Sequence, residues 1–551
     1  MTQKTTNPKR PDTVFGAVRQ ARSRKPIDDR ALRDAIEDFE YCRAGKQALE
    51  NRIVEDELWY KRRHWEVMRT NRRFRGAEPT SAWLFNTLMN KHADAADYYP
   101  RAAVLPREAA DSDSARALGE ILPVIMERCD FEQTYSDNWW EKLKHGTAAY
   151  GVFWNSRREQ GLGDVDIRMI DLLNLYWEPG VRDIQSSRRL FITDLWDISA
   201  VESVYPHVTG RLREDASAKK QYISDDNVSL SGKVLVVDCY YKKLNSQGRQ
   251  VVHLLKFCGS TLLYASENDE NYRERGFYDH GLYPVVLDTL FPEKGTPIGF
   301  GYVSVCKDPQ MYIDRLSANI LETSMMATKV RYFALNNTGI NEQELLDWNR
   351  PIVHVEGSSL EDSRLKQIKV EPLDPVYVNV LEQKIREMKE TSANRDVNAG
   401  SSGAGVTAAA AIAALQEAGS KNSRDMIAAA YRAYTKICYL CIELVRQFYT
   451  EQRCFRITGR DGWEFMNFSG RDIAGDEHTA CPVFDVKVCA ERRNPFSRMS
   501  LNETAKELFE LGVFSPDKAR EGPIMLELME FEGKDAAVDK LRQLVQQAEV
   551  S

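Results

Sequence analysis

Long hydrophobic runs are what this 551-residue sequence lacks first. The longest apolar stretch, Val406 to Leu415, is mostly alanine and falls far short of the ~20 residues a membrane span needs, so no transmembrane helix is expected. Excess positive charge is absent too. With 75 basic against 82 acidic residues the net charge is -7, so the chain as a whole is no electrostatic trap for nucleic acid, and any DNA contact should be local or loose. The ten cysteines follow no framework spacing, and no hydrophobic signal region precedes them, which points to free thiols in a reducing cytoplasm.

The signatures of catalysis are equally scarce. The histidines (His64, His92, His145, His207, His253, His280, His354 and His478) form no HxH or HExxH pair, and none serves a serine in a GxSxG elbow. Gly400 to Thr407 resembles the end of a P-loop, but Val406 stands where the phosphate-reaching lysine belongs, and the preceding segment reads as helix rather than strand. Cys438 and Cys441 have CxxC spacing on the apolar stripe of a long helix, with no second pair at zinc spacing, which predicts core packing. Asp164 and Asp166 share one face of a strand, as the metal-binding acids of a nuclease do, yet beside the turn at Gly161 to Gly163 exposed acids need no special cause. No catalytic residue, cofactor or metal ligand is therefore expected, and the chain reads as a non-enzyme.

What is present is a foldable chain, 43% apolar, long enough for about two to four domains. Residues 1–30 read as a flexible N-terminal arm, whose first 26 residues hold Lys4, Lys9, Arg10, Arg19, Arg22, Arg24 and Lys25 against the single acid Asp12 with no periodicity. Helical spacing follows over Arg30–Trp65, Trp83–Lys91, Ala93–Tyr99, Ala115–Cys129 and Phe131–His145, with a short extended piece at Val104–Pro106. The pattern then turns to β: a hairpin of Ala148–Trp154 and Val165–Ile170, strands at Tyr176–Trp177 and Leu190–Thr193, and a meander over Val234–Lys242, Val251–Phe257 and Thr261–Tyr264. Ser423 to Cys454 is the longest clean helix, a β patch follows at Phe455–Ile457 and Phe484–Val488, and a last helical block occupies Ser500–Leu511 and Lys534–Val550. The fold class is α+β, mainly α.

The chain is organised around Phe300 to Ala418. A helix over Val303–Thr328, with Pro309 in it or near its start, leads to β-favouring runs at Val330–Phe333 and Ile352–Val355. A second helix from Val376 to Asn394 carries Val378, Leu381, Ile385 and Met388 on one stripe. A run with glycines at 400, 403 and 405 and no large apolar anchor then predicts a flexible loop before the helix at Ala408–Leu415. Two amphipathic helices too polar to form a core alone imply that the rest of their packing comes from neighbouring copies of the chain.

Several stretches together resemble the portal proteins of tailed bacteriophages. His145-Gly-Thr-Ala-Ala-Tyr-Gly-Val-Phe-Trp154 is similar to that family's "GtGv..v.w" strand. Gly163 to Asp171, Asn174-Leu-Tyr and Glu178-Pro-Gly-Val-Arg-Asp-Ile184 follow its "G.v.i..i...n.y..p...di" run. Pro297-Ile-Gly-Phe-Gly301 with Gln310 and the helix beyond matches "P...G.g......Q..in.l", and Asn86, Pro100 and Val104-Leu-Pro106 resemble an upstream "fN" and "P...v.p" region. The resemblance covers roughly Arg63 to Arg453.

The resemblance implies a ring, usually of twelve subunits in this family, at one vertex of the capsid, through which the genome is packaged and ejected. It implies a wing over 31–302, stem helices at 303–328 and 374–396, a clip at 329–373, a tunnel loop at 397–406, a return segment with the long helix at 407–499, and a helical crown at 500–551. The tunnel loop residues would be Asn398, Gly400, Ser401, Ser402, Gly403 and Gly405. Lys384, Lys389 and Arg395 would become circles of positive charge that meet passing DNA, and Arg331, Tyr332, Trp348, Arg350 and His354 would offer clip contacts. The implied partners are further copies of the chain, double-stranded DNA, the terminase large subunit, the head-tail adaptor, and the major capsid and scaffolding proteins, with no membrane. The implied location is the virion, and the host cytoplasm during assembly. The alternatives are another ring-forming capsid or tail component, or a packaging nuclease or ATPase, which would need the P-loop or acidic metal cluster not found above.

Overall fold

The computed structural model describes residues 27, 29–69, 77–213, 231–328, 331–334, 343, 365–368, 374–392, 409–459, 462–474, 482–492 and 510. Helix α1 (Asp29–Tyr60) is a strut of 32 residues, ~48 Å long. Its first half buries Leu32, Ala35, Phe39 and Cys42 against a sheet, and its second half buries Ile53 and Trp59 in the main core. Arg62, in left-handed backbone at φ 59°, separates it from α2 (His64–Met68), so the helix expected through Trp65 is broken in two. Helix α3 (Trp83–Ala96) stops short of the expected Tyr99. The chain instead enters strand β1 (Tyr98–Pro106), which pairs antiparallel along its whole length with residues 484–492 near the other end of the sequence.

Helices α4 (Ser112–Arg128) and α5 (Phe131–His145) precede the predicted hairpin of β2 (Thr147–Asn155) and β3 (Asp164–Ile170). Strands β4 (Leu175–Trp177) and β5 (Arg189–Asp197), helix α6 (Ile198–Val204), and strands β6 (Lys233–Leu244), β7 (Gln250–Cys258) and β8 (Thr261–Ala265) follow. These strands form one antiparallel sheet in sequence order. Alternation along β6 divides its faces: Val237 and Cys239 meet α1, while Val234 and Val236 meet Val201 of α6 and Val208. Strand β9 (Val285–Thr289) adds to β2, giving the order β3-β2-β9, and the short pair β10 (Phe291–Pro292) and β11 (Gly299–Phe300) comes next.

Helix α7 (Tyr302–Thr328) has 27 residues with Pro309 inside it. Beyond it β12 (Arg331–Ala334) pairs with β13 (Leu365–Ile368); the run Ile352–Val355, read as a strand from the sequence, lies outside the described residues. Helix α8 (Val376–Thr391) returns alongside α7. Helix α9 (Ala409–Phe448) runs unbroken for 40 residues, fusing the two helices expected at Ala408–Leu415 and from Ser423 onward. It ends at Phe448 rather than Cys454, because Arg453 already belongs to the hairpin of β14 (Arg453–Gly459) and β15 (Gly462–Phe468). Strand β16 (Phe484–Arg492) is the partner of β1. The spine of the main core is α9, whose Tyr434, Ile437, Cys438, Cys441, Leu444 and Val445 are buried among Phe131, Tyr150 and Val165. Burying each side chain of this size contributes about 1.5–3 kcal/mol.

Candidate functional site

The family-like motifs, far apart in sequence, meet at the start of α7. Gly146 closes α5 in left-handed backbone at φ 86°, and a Cβ there would lie 2.1 Å from the carbonyl carbon of Phe300. A Cβ on Gly301 would lie 2.3 Å from the carbonyl oxygen of Lys144. Both glycines are required because two backbones cross without room for a methyl group. The crossing is tied by Gly299, whose N–H donates to Thr147 Oγ1 at 3.0 Å. The joint places the first turn of α7 directly on the end of α5 and the beginning of β2.

About two to three turns into α7, two polar side chains hold the segment between α2 and α3. Gln310 Oε1 accepts the N–H of Leu84 at 3.0 Å, and its Nε2 donates to Ser81 Oγ at 2.7 Å and to Asp314 Oδ1 at 3.0 Å. Asp314 also accepts from Ser81 N at 3.0 Å and from Ser81 Oγ at 2.8 Å, while His64 Nδ1 lies 2.6 Å from its Oδ2. The other ring nitrogen of His64 faces the Trp59 carbonyl at 3.0 Å. Both nitrogens therefore face oxygen atoms. His64, Gln310 and Asp314 are all buried, so the network is shut from solvent. Gln310 stands in a quoted motif, whereas His64, Ser81 and Asp314 carry no local signal, since a lone histidine and a lone aspartate look like surface residues until the fold brings them together.

Burial along α7 ends at Ala318. Beyond it Leu321, Met325 and Met326 are exposed, as are Val376, Tyr377 and Val378 on the facing end of α8, all between 43% and 57%. At the other end of α8 Met388 is buried. Lys384 Nζ donates to Glu387 Oε2 at 2.7 Å and lies 5.6 Å from the Tyr312 ring, while Lys389 Nζ lies 5.5 Å from the Trp83 ring. Arg331 and Tyr332 are on β12. Arg395, the loop residues Asn398, Gly400, Ser401, Ser402, Gly403 and Gly405, the clip residues Trp348, Arg350 and His354, the basic arm up to residue 26, and the terminal block from 500 on, apart from Glu510, lie outside the described residues.

The packed part of α9 is fastened by cations. Lys142 Nζ donates to Asp288 Oδ1 at 2.7 Å and to the Met426 carbonyl at 3.0 Å, joining α5, β9 and α9. Burial pulls this ammonium below its ordinary range, and Asp288 opposes the shift. Lys91 Nζ lies 3.2 Å from Ser423 Oγ, which donates to Asp94 Oδ2 at 2.8 Å. Asp164 and Asp166 are each committed: Asp164 is buried, accepts from the Tyr449 hydroxyl and has Arg128 at 3.6 Å, and Asp166 has Arg158 at 3.3 Å. Cys438 and Cys441 are buried in the core, and desolvation pushes the Cys438 thiol up to about 12.

Among the described residues, one group combines acids and histidine at ligand spacing: Glu57, Glu141 and His145. Lys144 Nζ is bonded to Glu57 and lies 2.7 Å from Glu141 Oε1. Burial would depress the His145 ring, but the Asp56 and Glu57 carboxylates outweigh it and raise it to about 9. Glu57 resists its own burial and is held down to about 2 by His145 and Lys144, while desolvation raises Asp56.

The arrangement is a long helix seated on a glycine joint, with exposed apolar residues at its far end and at the facing end of its returning partner. The family model for phage P22-like portal proteins matches residues 93–550. The chain belongs to that family, the proteins that form the channel at one vertex of the phage capsid. No curated protein matches the chain. The family match runs past Arg453, where the sequence motifs give out, to residue 550. No helix among the described residues is long and apolar enough to cross a membrane.

Proposed function

We propose that α7 and α8 are the two stem helices of a closed ring, usually of twelve copies in this family, with the capsid channel on its axis. The observation that carries this reading is the apolar far end of the pair, where Leu321, Met325, Met326, Val376, Tyr377 and Val378 are exposed among the described residues. Patches of this kind on a ring-forming chain are covered by the next copy, through a heterologous contact that closes by rotation. The β12–β13 pair at the end of α7 is the base of the clip, with Arg331, Tyr332, Trp348, Arg350 and His354 meeting the terminase large subunit and then the head-tail adaptor. Residues 31–302 form the wing, 397–406 the tunnel loop, 407–499 the return segment and 500–551 the crown inside the head; the N-terminal arm gives way to the wing by Ile27, which is buried and whose N–H donates to Asn268 Oδ1 at 3.3 Å. Lys384, Lys389 and Arg395 become rings of charge, and any ring that faces the lumen touches passing DNA without reading its sequence. Capsid and scaffolding proteins contact the wing. The protein assembles in the host cytoplasm and has no catalytic role.

The test is mass and shape. Light scattering on the purified chain should give a ring mass, and negative-stain images should show a central channel. Leu321→Glu with Met325→Glu should leave the single chain folded while the ring is lost. A compact monomer from the unaltered chain would overturn the reading.

A further inference from the structure

We infer that Glu57, Glu141 and His145 form a site for a first-row divalent cation, Zn2+ or Mn2+, at the joint beneath α7, and that Lys144 competes with the ion for it. The inference stands independently of the ring.

Geometry is the first ground. Ligands about 2.1 Å from a tetrahedral or octahedral metal lie about 3.0–3.4 Å from each other. His145 Nε2 is 3.1 Å from Glu57 Oε1 and 3.5 Å from Glu141 Oε2, so small side-chain shifts give the required edges. The carboxylates already converge on a cation, because the Lys144 ammonium is bonded to both Glu57 and Glu141. That ammonium marks the place an ion would take.

Charge is the second. Asp56, Glu57 and Glu141 bring three carboxylates around Lys144 and His145 in a largely desolvated place. The nearby cations are committed: Arg52 pairs with Glu293 at 3.3 Å and donates to the Gly299 carbonyl at 2.6 Å, and Lys307 pairs with Glu55 at 3.3 Å.

Asp56 is the third and separate ground. It is fully buried, and neither of its carboxylate oxygens has a hydrogen-bond partner. His145 Nδ1, equally buried, lacks one as well, and the two groups face each other at 3.6 Å. An ion on Nε2 fixes the remaining proton on Nδ1, pointing at Asp56, which is the carboxylate–histidine–metal arrangement found around bound metals. The mixed nitrogen and oxygen donors favour Zn2+ or Mn2+ over Mg2+ or Ca2+. Because Gly301 rests against the Lys144 carbonyl, an ion here ties α1 to α5 at the point where α7 begins.

The experiment is titration of the full-length chain, stripped with chelator, by ZnCl2 and by MnCl2, with MgCl2 as control, followed by calorimetry and by Mn2+ electron paramagnetic resonance. The expected result is one equivalent per chain, with a rise in thermal midpoint that depends on metal concentration. Lys144→Gln should tighten binding at least about tenfold, since it removes the competitor, and Asp56→Asn should weaken it about 10–100-fold. Glu141→Gln should abolish the stoichiometric site; if that variant does not fold, Lys144→Gln alone decides. Absence of a stoichiometric equivalent in both the unaltered chain and Lys144→Gln overturns the inference. So does an equivalent that Asp56→Asn and Glu141→Gln leave unchanged.

Discussion

The two halves of α7 obey different rules. From Tyr302 to Ala318 the helix is seated: Val303, Cys306 and Ile313 are in the core, and Gln310 and Asp314 satisfy every polar group they face. From Asn319 on no residue is buried, although Leu321, Met325 and Met326 are as apolar as anything in the first half. Amphipathicity therefore does not say where a helix finds its cover. The first half is completed within the chain, and the second presents a surface that another copy can complete.

The largest effect that would break this contrast is at Asp314. Replacing it with alanine removes the acceptor for Ser81 N, Ser81 Oγ, Gln310 Nε2 and His64, and strands the histidine in a dry site. Breaking a buried pair of this kind costs about 3–5 kcal/mol. Leu321→Ala, on the same helix, should change the stability of the isolated chain by no more than about 0.5 kcal/mol. Denaturation midpoints of the two variants check it, and equal losses would mean that the far half of α7 is as well packed as the near half.

How much of this was readable beforehand follows from the same division. The periodicities of α5, α7 and α9 and the hairpin at Gly161 to Gly163 depend on neighbours a few residues away, and they were legible. Strand β1 was not, because Tyr98–Pro106 is extended only by virtue of residues 484–492, and no local window contains both. The end of α9 was missed for a similar reason: Gly470 donates to the Tyr449 carbonyl at 2.8 Å and closes the helix from outside. Of the site, Gln310 and the glycines stood in recognisable motifs, while His64, Asp314 and the Asp56 cluster acquire meaning only from contacts across 88 to 250 residues.

A smaller effect sharpens the comparison at the joint itself. Gly301→Ala drives a methyl group against the backbone oxygens of Lys144 and Leu143, which no rotamer can relieve, and should cost about 1–3 kcal/mol. Gly119→Ala, inside α4 with nothing within 4 Å of the new Cβ, should stabilise by about 0.5–1 kcal/mol. Thermal midpoints moving in opposite directions would separate a glycine held by packing from one that is merely tolerated. A harmless Gly301→Ala would mean that α5 and α7 are not locked together.

The smallest expected effect on stability, and the most informative about the channel, is on α8. Lys384 is paired with Glu387 one turn away and Lys389 lies near the Trp83 ring, contacts that at a surface are worth about 0–1 kcal/mol. Lys384→Ala and Lys389→Ala should therefore leave the midpoint of the chain nearly unmoved. If α8 faces the lumen, each substitution removes one circle of positive charge from the ring, and DNA packaging or retention should fall with a dependence on salt, because the lost interaction is with phosphate. Arg395→Ala completes the set. Packaging and retention at the unaltered level in all three variants would assign these cations to contacts between protein segments and leave the passage of DNA to other residues; a loss in Lys384→Ala alone would identify the turn of α8 that lines the channel.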